Sequence, residues 1–236
     1  MIDVPSLRPE TRFGIPSACE ALLFNRHYVV GYSYLFRQPR YALELITSET
    51  LRDAVDRKDL FREDPRIPSQ FAPTLQDYAG SGYHRGHLVC SQNKSGSKVE
   101  NSETFLLSNM CPQLPALNSG QWMQLEAYLR DLAKRPDVLE VYVACGPLFM
   151  VRMPIDCIGY IPVPHAFWKS WLTVSDTGRL QASAAMLLNE PIMAPTPWQD
   201  RMIAIDKLES MIGLPLWDRI REPGFIAGKA KAAKPQ

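Results

Sequence analysis

Residues 117–134 carry the most regular helical period in the chain. Trp122, Leu125, Leu129 and Leu132 recur at three- and four-residue spacing, forming an apolar stripe that has to be buried. Runs rich in aromatic and β-branched residues offer the surface for it. Residues 27–34, 41–47, 104–109, 139–146, 166–174 and 180–188 all read as strands. Arg37-Gln38-Pro39-Arg40 suits a loop between the first two, and Asp176-Thr177-Gly178 a hairpin turn between the last two. Pro112 and Pro115 predict a turn between the 104–109 strand and the helix. A second helix is predicted over 200–211, with Gly213 just past its end. No repeat or linker breaks this order, so one α+β domain is expected over residues 1–236. Residues 1–11 would form an N-terminal arm. The small, basic tail from 224, with Lys229, Lys231 and Lys234, is expected to be disordered.

Composition narrows the class. With 236 residues, 46% of them hydrophobic and 22% charged, the chain can build a core without disulfide or metal staples. The net charge of +1 decides nothing about nucleic acid, because such a partner needs a local basic patch and not a basic total. Five cysteines without a C-x-x-C pair predict reduced thiols. The N-terminus lacks the basic and apolar segments of a signal peptide, and no apolar run reaches the length of a membrane span. These features predict a soluble chain with no membrane partner, and favour an intracellular location.

The chemistry concentrates in Tyr83-His84-Arg85-Gly86-His87 and the helix that follows. A histidine accepts a proton near neutrality, and an arginine fork suits phosphate oxygens. A glycine permits a tight or left-handed turn. Downstream lie Asn109, Asn118, Glu126 and Arg130. At about 100° per residue, Asn118, Glu126 and Arg130 fall on one side of the helix, beside the apolar stripe. A base, a hard oxygen ligand, a carboxylate and two arginines are what metal-assisted phosphodiester hydrolysis needs. Glu126 and Arg130 also fit an ordinary i,i+4 ion pair. The charged run over 50–66 reads as a solvated face, with Arg57, Lys58 or Arg62 as alternative contacts to a substrate backbone. His27 reads as strand decoration and His165 as a structural edge residue.

On these motifs the chain resembles the DNA/RNA non-specific endonucleases of the ββα-metal type, in the endonuclease G-like branch. The likeness rests on His84-Arg85-Gly86-His87, Ser108-Asn109-Met110-Cys111-Pro112-Gln113, and Leu117-Asn118 with Trp122 and Glu126. Flanking segments support it, including Phe61-Arg62-Glu63-Asp64, Gly146-Pro147-Leu148-Phe149 and Ile161-Pro162-Val163-Pro164-His165, so that it spans roughly residues 12–221. The resemblance implies a central, mostly antiparallel sheet flanked by helices. It implies cleavage of DNA and RNA to 5′-phosphate products, with Mg²⁺ as cofactor, Mn²⁺ as a substitute, and a homodimer as a possible assembly. It assigns His87 as general base and Asn118 as the direct metal ligand. Glu126, Asn109 and His84 would hold metal-bound water, and Arg85 and Arg130 would contact phosphate.

One position departs from the family. Its motif begins with aspartate, where this chain has His84. A neutral imidazole can accept a hydrogen bond but brings no negative charge. Two further readings therefore stay open. One is a nucleic-acid-binding protein silenced by His84. The other is a structural zinc site using His84, His87 and a cysteine.

Overall fold

The computed structural model describes residues 8–16, 19–51, 54–150, 154–191 and 196–221. The predicted basic tail lies outside the described residues, as does most of the predicted N-terminal arm. Ten strands are present among the described residues: β1 (Ala21–Phe24), β2 (Tyr28–Ser33), β3 (Gln38–Ile46), β4 (His84–His87), β5 (Met110–Gln113), β6 (Val138–Leu148), β7 (Cys157–Ile158), β8 (Ile161–Pro162), β9 (Ala166–Ser175) and β10 (Leu180–Leu188). The helices are α1 (Leu75–Tyr78), α2 (Lys98–Glu103), α3 (Pro115–Leu117), α4 (Met123–Ala133) and α5 (Ile205–Ile212).

Six strands form one sheet in the order β1-β2-β3-β6-β9-β10, and every neighbouring pair is antiparallel. Side chains alternate across a strand, and both faces are covered. Val141, Val143, Cys145, Phe167 and Trp171 meet the α4 stripe of Trp122, Leu125, Leu129 and Leu132. Tyr142, Ala144, Trp168 and Leu172 face the other way, toward Phe13, Leu208 of α5, Leu214 and Trp217. The α+β class and the flanked antiparallel sheet hold.

The differences have local causes. β1 lies outside every predicted strand, in the Pro-containing stretch ahead of the first one. Residues 104–109 do not form the predicted strand, because Thr104 caps α2 and residues 107–109 make a 3₁₀ turn. The strand follows one step later as β5 and includes Pro112, whose missing N–H is tolerated at this two-stranded edge. Helix α5 starts at Ile205 rather than near residue 200, after a separate 3₁₀ turn at Trp198–Arg201. Its end matches the expectation: Gly213 takes the left-handed conformation, with φ +64°, and closes the helix. All five cysteines are free. No helix among the described residues is long and apolar enough to cross a membrane.

The 117–134 helix is not continuous. A π-turn at Asn118–Trp122 separates α3 from α4, and Gly120 within it is non-helical at φ −110°, ψ −113°. The turn breaks the 100° arithmetic that placed Asn118 on the same side as Glu126.

Candidate active site

Two four-residue strands build the site. β4 and β5 pair antiparallel, with His84 opposite Gln113, Arg85 opposite Pro112, Gly86 opposite Cys111 and His87 opposite Met110. Gly86 is extended and not left-handed. Its role is close approach: a Cβ there would lie 2.2 Å from Oε1 of Gln113, whose buried side chain crosses it.

Past His87 the chain is pinned by Asn109. The Asn109 Oδ1 accepts from the Val89 N–H at 3.1 Å, and its Nδ2 donates to the Val89 and Thr104 carbonyls at 3.0 Å each. The side chain is fully buried and its hydrogen-bonding groups are spent on backbone. The structure therefore corrects the reading of Asn109 as a catalytic residue or holder of metal-bound water; it shapes the strand that carries His87. On the other side, Trp122 Nε1 donates to the His87 carbonyl at 3.1 Å.

His87 sits in an aromatic box. Phe105 meets its ring edge-on at 5.0 Å between centroids, and Phe61 lies at 5.6 Å. Each phenylalanine carries a guanidinium on its face, Arg85 4.3 Å from the Phe61 centroid and Arg57 5.4 Å from that of Phe105. The residue is half-buried, but its Nε2 is shut off from solvent and has no hydrogen-bond partner. Burial and the Arg57 cation, opposed by Asp59 and reinforced by Arg85, push its pKa down to about 3. The imidazole is neutral at physiological pH.

Asn118 opens the π-turn and reaches His84, its Nδ2 lying 3.0 Å from the His84 Nδ1. An amide nitrogen only donates, so Nδ1 is the acceptor and the His84 proton sits on Nε2. That arrangement leaves the Asn118 Oδ1 for a hard cation. His84, Arg85 and Asn118 share a cleft of about 390 Å³ with Arg57, Phe61 and Tyr83. The absence among the described residues of any His/Cys/Asp/Glu cluster able to hold a metal removes the support for the zinc reading.

Glu126 and Arg130 turn inward. Glu126 is buried, with Oε1 unpartnered and 3.8 Å from the Lys169 Nζ. Burial raises its pKa, against the pull of Lys169, a Cys90 hydrogen bond and Arg130. Arg130 donates to Asn93 Oδ1 at 3.3 Å and to Cys90 Sγ at 3.6 Å. Arg130 is not among the cleft-lining residues, and its Nη1 is engaged with Asn93 and Cys90. Arg57, left in the sequence as one of several alternatives, lines the cleft instead. Phe61, Phe105 and Lys169 carry no signal in the sequence that separates them from ordinary core and strand residues. Outside the site, His27 pairs with Glu100 at 3.0 Å, and His165 bonds the backbone at Met150 and Pro154. Both fit their structural readings.

Comparison with known proteins gives the family. The chain matches the DNA/RNA non-specific endonuclease family over residues 9–222 and belongs to it. It is similar to nuclease C1 of Cunninghamella echinulata var. echinulata, at 31% identity over 229 residues, covering 92% of this chain and 90% of that protein. It is also similar to the mitochondrial endonuclease G of Homo sapiens, at 31% identity over 214 residues, covering 86% of this chain and 71% of that protein. Among solved structures, a complex of EndoG with EndoGI, described as showing the mechanism of EndoG inhibition, superposes with a TM-score of 0.84. That match is at 29% identity and covers 92% of this chain and 94% of the other.

Proposed function

We infer that this single-domain chain hydrolyses phosphodiester bonds of DNA and RNA with His87 as general base and a divalent cation, Mg²⁺ or in its place Mn²⁺, held at Asn118. The observation that carries the reading is the His87 imidazole, held neutral in an aromatic box whose two phenylalanines each carry a guanidinium. The Asn118 Oδ1, left free by the Nδ2–His84 bond, fits a cation that keeps most of its waters and takes few protein ligands. When bound, such an ion supplies charge neutralisation at the phosphate and at the departing oxygen.

The chain's own residues do the rest. His87 takes a proton from water at Nε2. The resulting hydroxide oxygen bonds to phosphorus, the bond to the 3′ oxygen breaks, and solvent protonates that oxygen, leaving a 5′ phosphate. Arg85 and Arg57 offer charge-assisted hydrogen bonds to phosphate oxygens. Contacts of this kind read the backbone and not the bases, which accords with sequence-independent cleavage. His84 orients the Asn118 amide, and Glu126 supports the site from below. Homodimer formation belongs to the same proposal, and sedimentation would test it.

The test is plasmid nicking with Mg²⁺ and Mn²⁺ by wild type and His87→Ala. The variant should lose about 10²–10⁴-fold in rate while still binding DNA. Cleavage at the wild-type rate by the variant overturns the assignment. An inactive wild type that binds DNA supports the alternative in which His84 silences the site.

A further inference from the structure

Behind Trp122 lies a buried ionic cluster of which hydrolysis as described above uses only Glu126. Glu44 of β3, Lys169 of β9 and Glu126 of α4 are all buried, and Lys94 joins them from the 3₁₀ turn at Ser91–Lys94. Lys94 Nζ pairs with Glu44 at 3.2 Å, and Asn93 Nδ2 donates to both Glu44 oxygens. Lys169 is placed differently. Its Nζ is 3.8 Å from the Glu126 Oε1, beyond hydrogen-bond reach, and 4.1 Å from the centroid of the Trp122 ring.

We propose that Lys169 is a positioning residue for the hydrolytic site, holding Trp122 and the Glu126 carboxylate in place from within the sheet. The inference rests on the hydrolytic reading given above. Trp122 closes the π-turn that begins at Asn118, and its indole N–H donates to the His87 carbonyl. A cation on the face of that ring adds attraction that grows with desolvation. One ammonium thus sits on the ring that closes the turn presenting Asn118 and bonds the strand presenting His87, and lies 3.8 Å from the carboxylate of α4.

A lysine is a costly way to fill this space. Its neighbours on the same face of β9 are Phe167 and Trp171, and a buried ion pair seldom outperforms apolar packing for stability alone. Burial pulls the Lys169 pKa down, but Cys145, Glu126 and Glu44 around it raise it further, so the ammonium stays charged. Glu126 is faced by Lys169 and Cys145 from the sheet, by Arg130 on its own helix, by Cys90 next to the 3₁₀ turn and by Glu44 across the cluster. Of these, Lys169 opposes its protonation most.

The test compares Lys169→Met, Lys169→Arg and the double variant Lys169→Met/Glu126→Gln in the full chain, with kcat referred to the folded fraction. Lys169→Met should lower kcat by about 10–100-fold, the loss seen when supporting groups around an active site are removed. KM should stay within about threefold, because the cleft arginines are untouched. Its acid limb should move to higher pH as Glu126 loses its cation. In metal-free ¹⁵N-labelled protein the Trp122 indole N–H resonance should shift, the signal being assigned among the five tryptophans with Trp122→Phe. Lys169→Arg should recover kcat and the acid limb. The double variant should regain thermal stability but not kcat. A Lys169→Met enzyme with unchanged kcat, acid limb and indole resonance overturns the inference, as does a double variant with wild-type kcat. If His87→Ala is inactive in the same assay, such a failure falls on Lys169 alone. If His87→Ala is active, the hydrolytic reading itself has failed.

Discussion

The two faces of the central sheet are built from the same strands and do opposite things. Facing α4, β3 and β9 present Glu44 and Lys169 among Ala42, Phe167 and Trp171. Facing α5, the same strands present Tyr41, Leu43, Trp168, Ser170 and Leu172, with no charged side chain among them, and the Ser170 hydroxyl accepts from the Trp217 indole at 2.9 Å. The apolar face contributes stability through area and packing. The charged face sacrifices some of that gain to hold ions where a strand, a turn and a helix converge on the cleft. Buried charge so close to a candidate site is better explained by function than by folding.

Paired truncations would expose this difference most strongly. Trp168→Ala removes a fully buried side chain from the apolar face and should cost about 3–5 kcal/mol. The kcat of the folded fraction should not change. Glu126→Gln on the opposite face leaves the buried Lys169 ammonium without its carboxylate and should also cost about 3–5 kcal/mol, but it should lower the kcat of the folded fraction by about 10–100-fold. If Trp168→Ala slowed the folded enzyme as much as Glu126→Gln does, the division of labour would be wrong.

The pH dependence of stability sharpens the contrast. His87 is held near a pKa of about 3 against an ordinary 6.5. Below 6.5 the unfolded chain binds a proton that the folded state refuses. The full stability is present above 6.5 and drains away as pH falls toward about 3, at up to about 1.4 kcal/mol per pH unit. His87→Leu should abolish this contribution, which urea unfolding from pH 7 to pH 4 would show as a shallower fall than in wild type. Trp168→Ala should instead shift stability by the same amount throughout that range. A wild type and His87→Leu with parallel curves would mean that His87 is not buried neutral.

A smaller effect is expected at Gly86. Gly86→Ala drives a Cβ into the Gln113 side chain, which is itself buried. Overpacking should cost about 1–3 kcal/mol. Because β4 carries His87 and Arg85, kcat should fall as well, unlike the response to truncation across the sheet. Calorimetry alongside the nicking assay checks both, and a variant as stable and as fast as wild type would show that Gln113 yields freely.

These contrasts track what could be read from sequence. The apolar stripe of α4 and the long strands β6, β9 and β10 announce themselves by period and composition, since a side chain buried on one face repeats with the element. The motif residues His84, Arg85, His87 and Asn118 were legible by chemistry and resemblance. The geometry between them was not. A π-turn at Asn118–Trp122 looks like ordinary helix in sequence, so Asn118 and Glu126 were placed together when they face different surroundings. Asn109 looks like a ligand until its amide is seen occupied by the Val89 backbone. Lys169 inside a predicted strand has nothing to single it out, because Glu126 and Trp122 lie more than forty residues away and reach it only through tertiary packing. Four-residue strands such as β4 and β5 carry too few side chains to show a period.

The smallest predicted effect concerns His84, the residue where this chain leaves its family. It lies at the exposed rim of the cleft, farthest in character from the dry packing below. Its Nδ1 accepts the Asn118 amide, and that bond fixes which way the amide points. His84→Ala removes the acceptor, and a single hydrogen bond is worth about 0.5–1.5 kcal/mol. Metal affinity and rate should therefore fall by no more than about tenfold. His84→Asp restores an acceptor of similar reach and adds a negative charge near the Asn118 Oδ1. It should bind Mg²⁺ at least as tightly as wild type and cleave at a comparable rate. Titration calorimetry with Mg²⁺ and the nicking assay measure the two quantities separately. Should His84→Asp bind metal more weakly than His84→Ala, the imidazole would be doing something a carboxylate cannot, and its role as a stand-in acceptor would have to be abandoned.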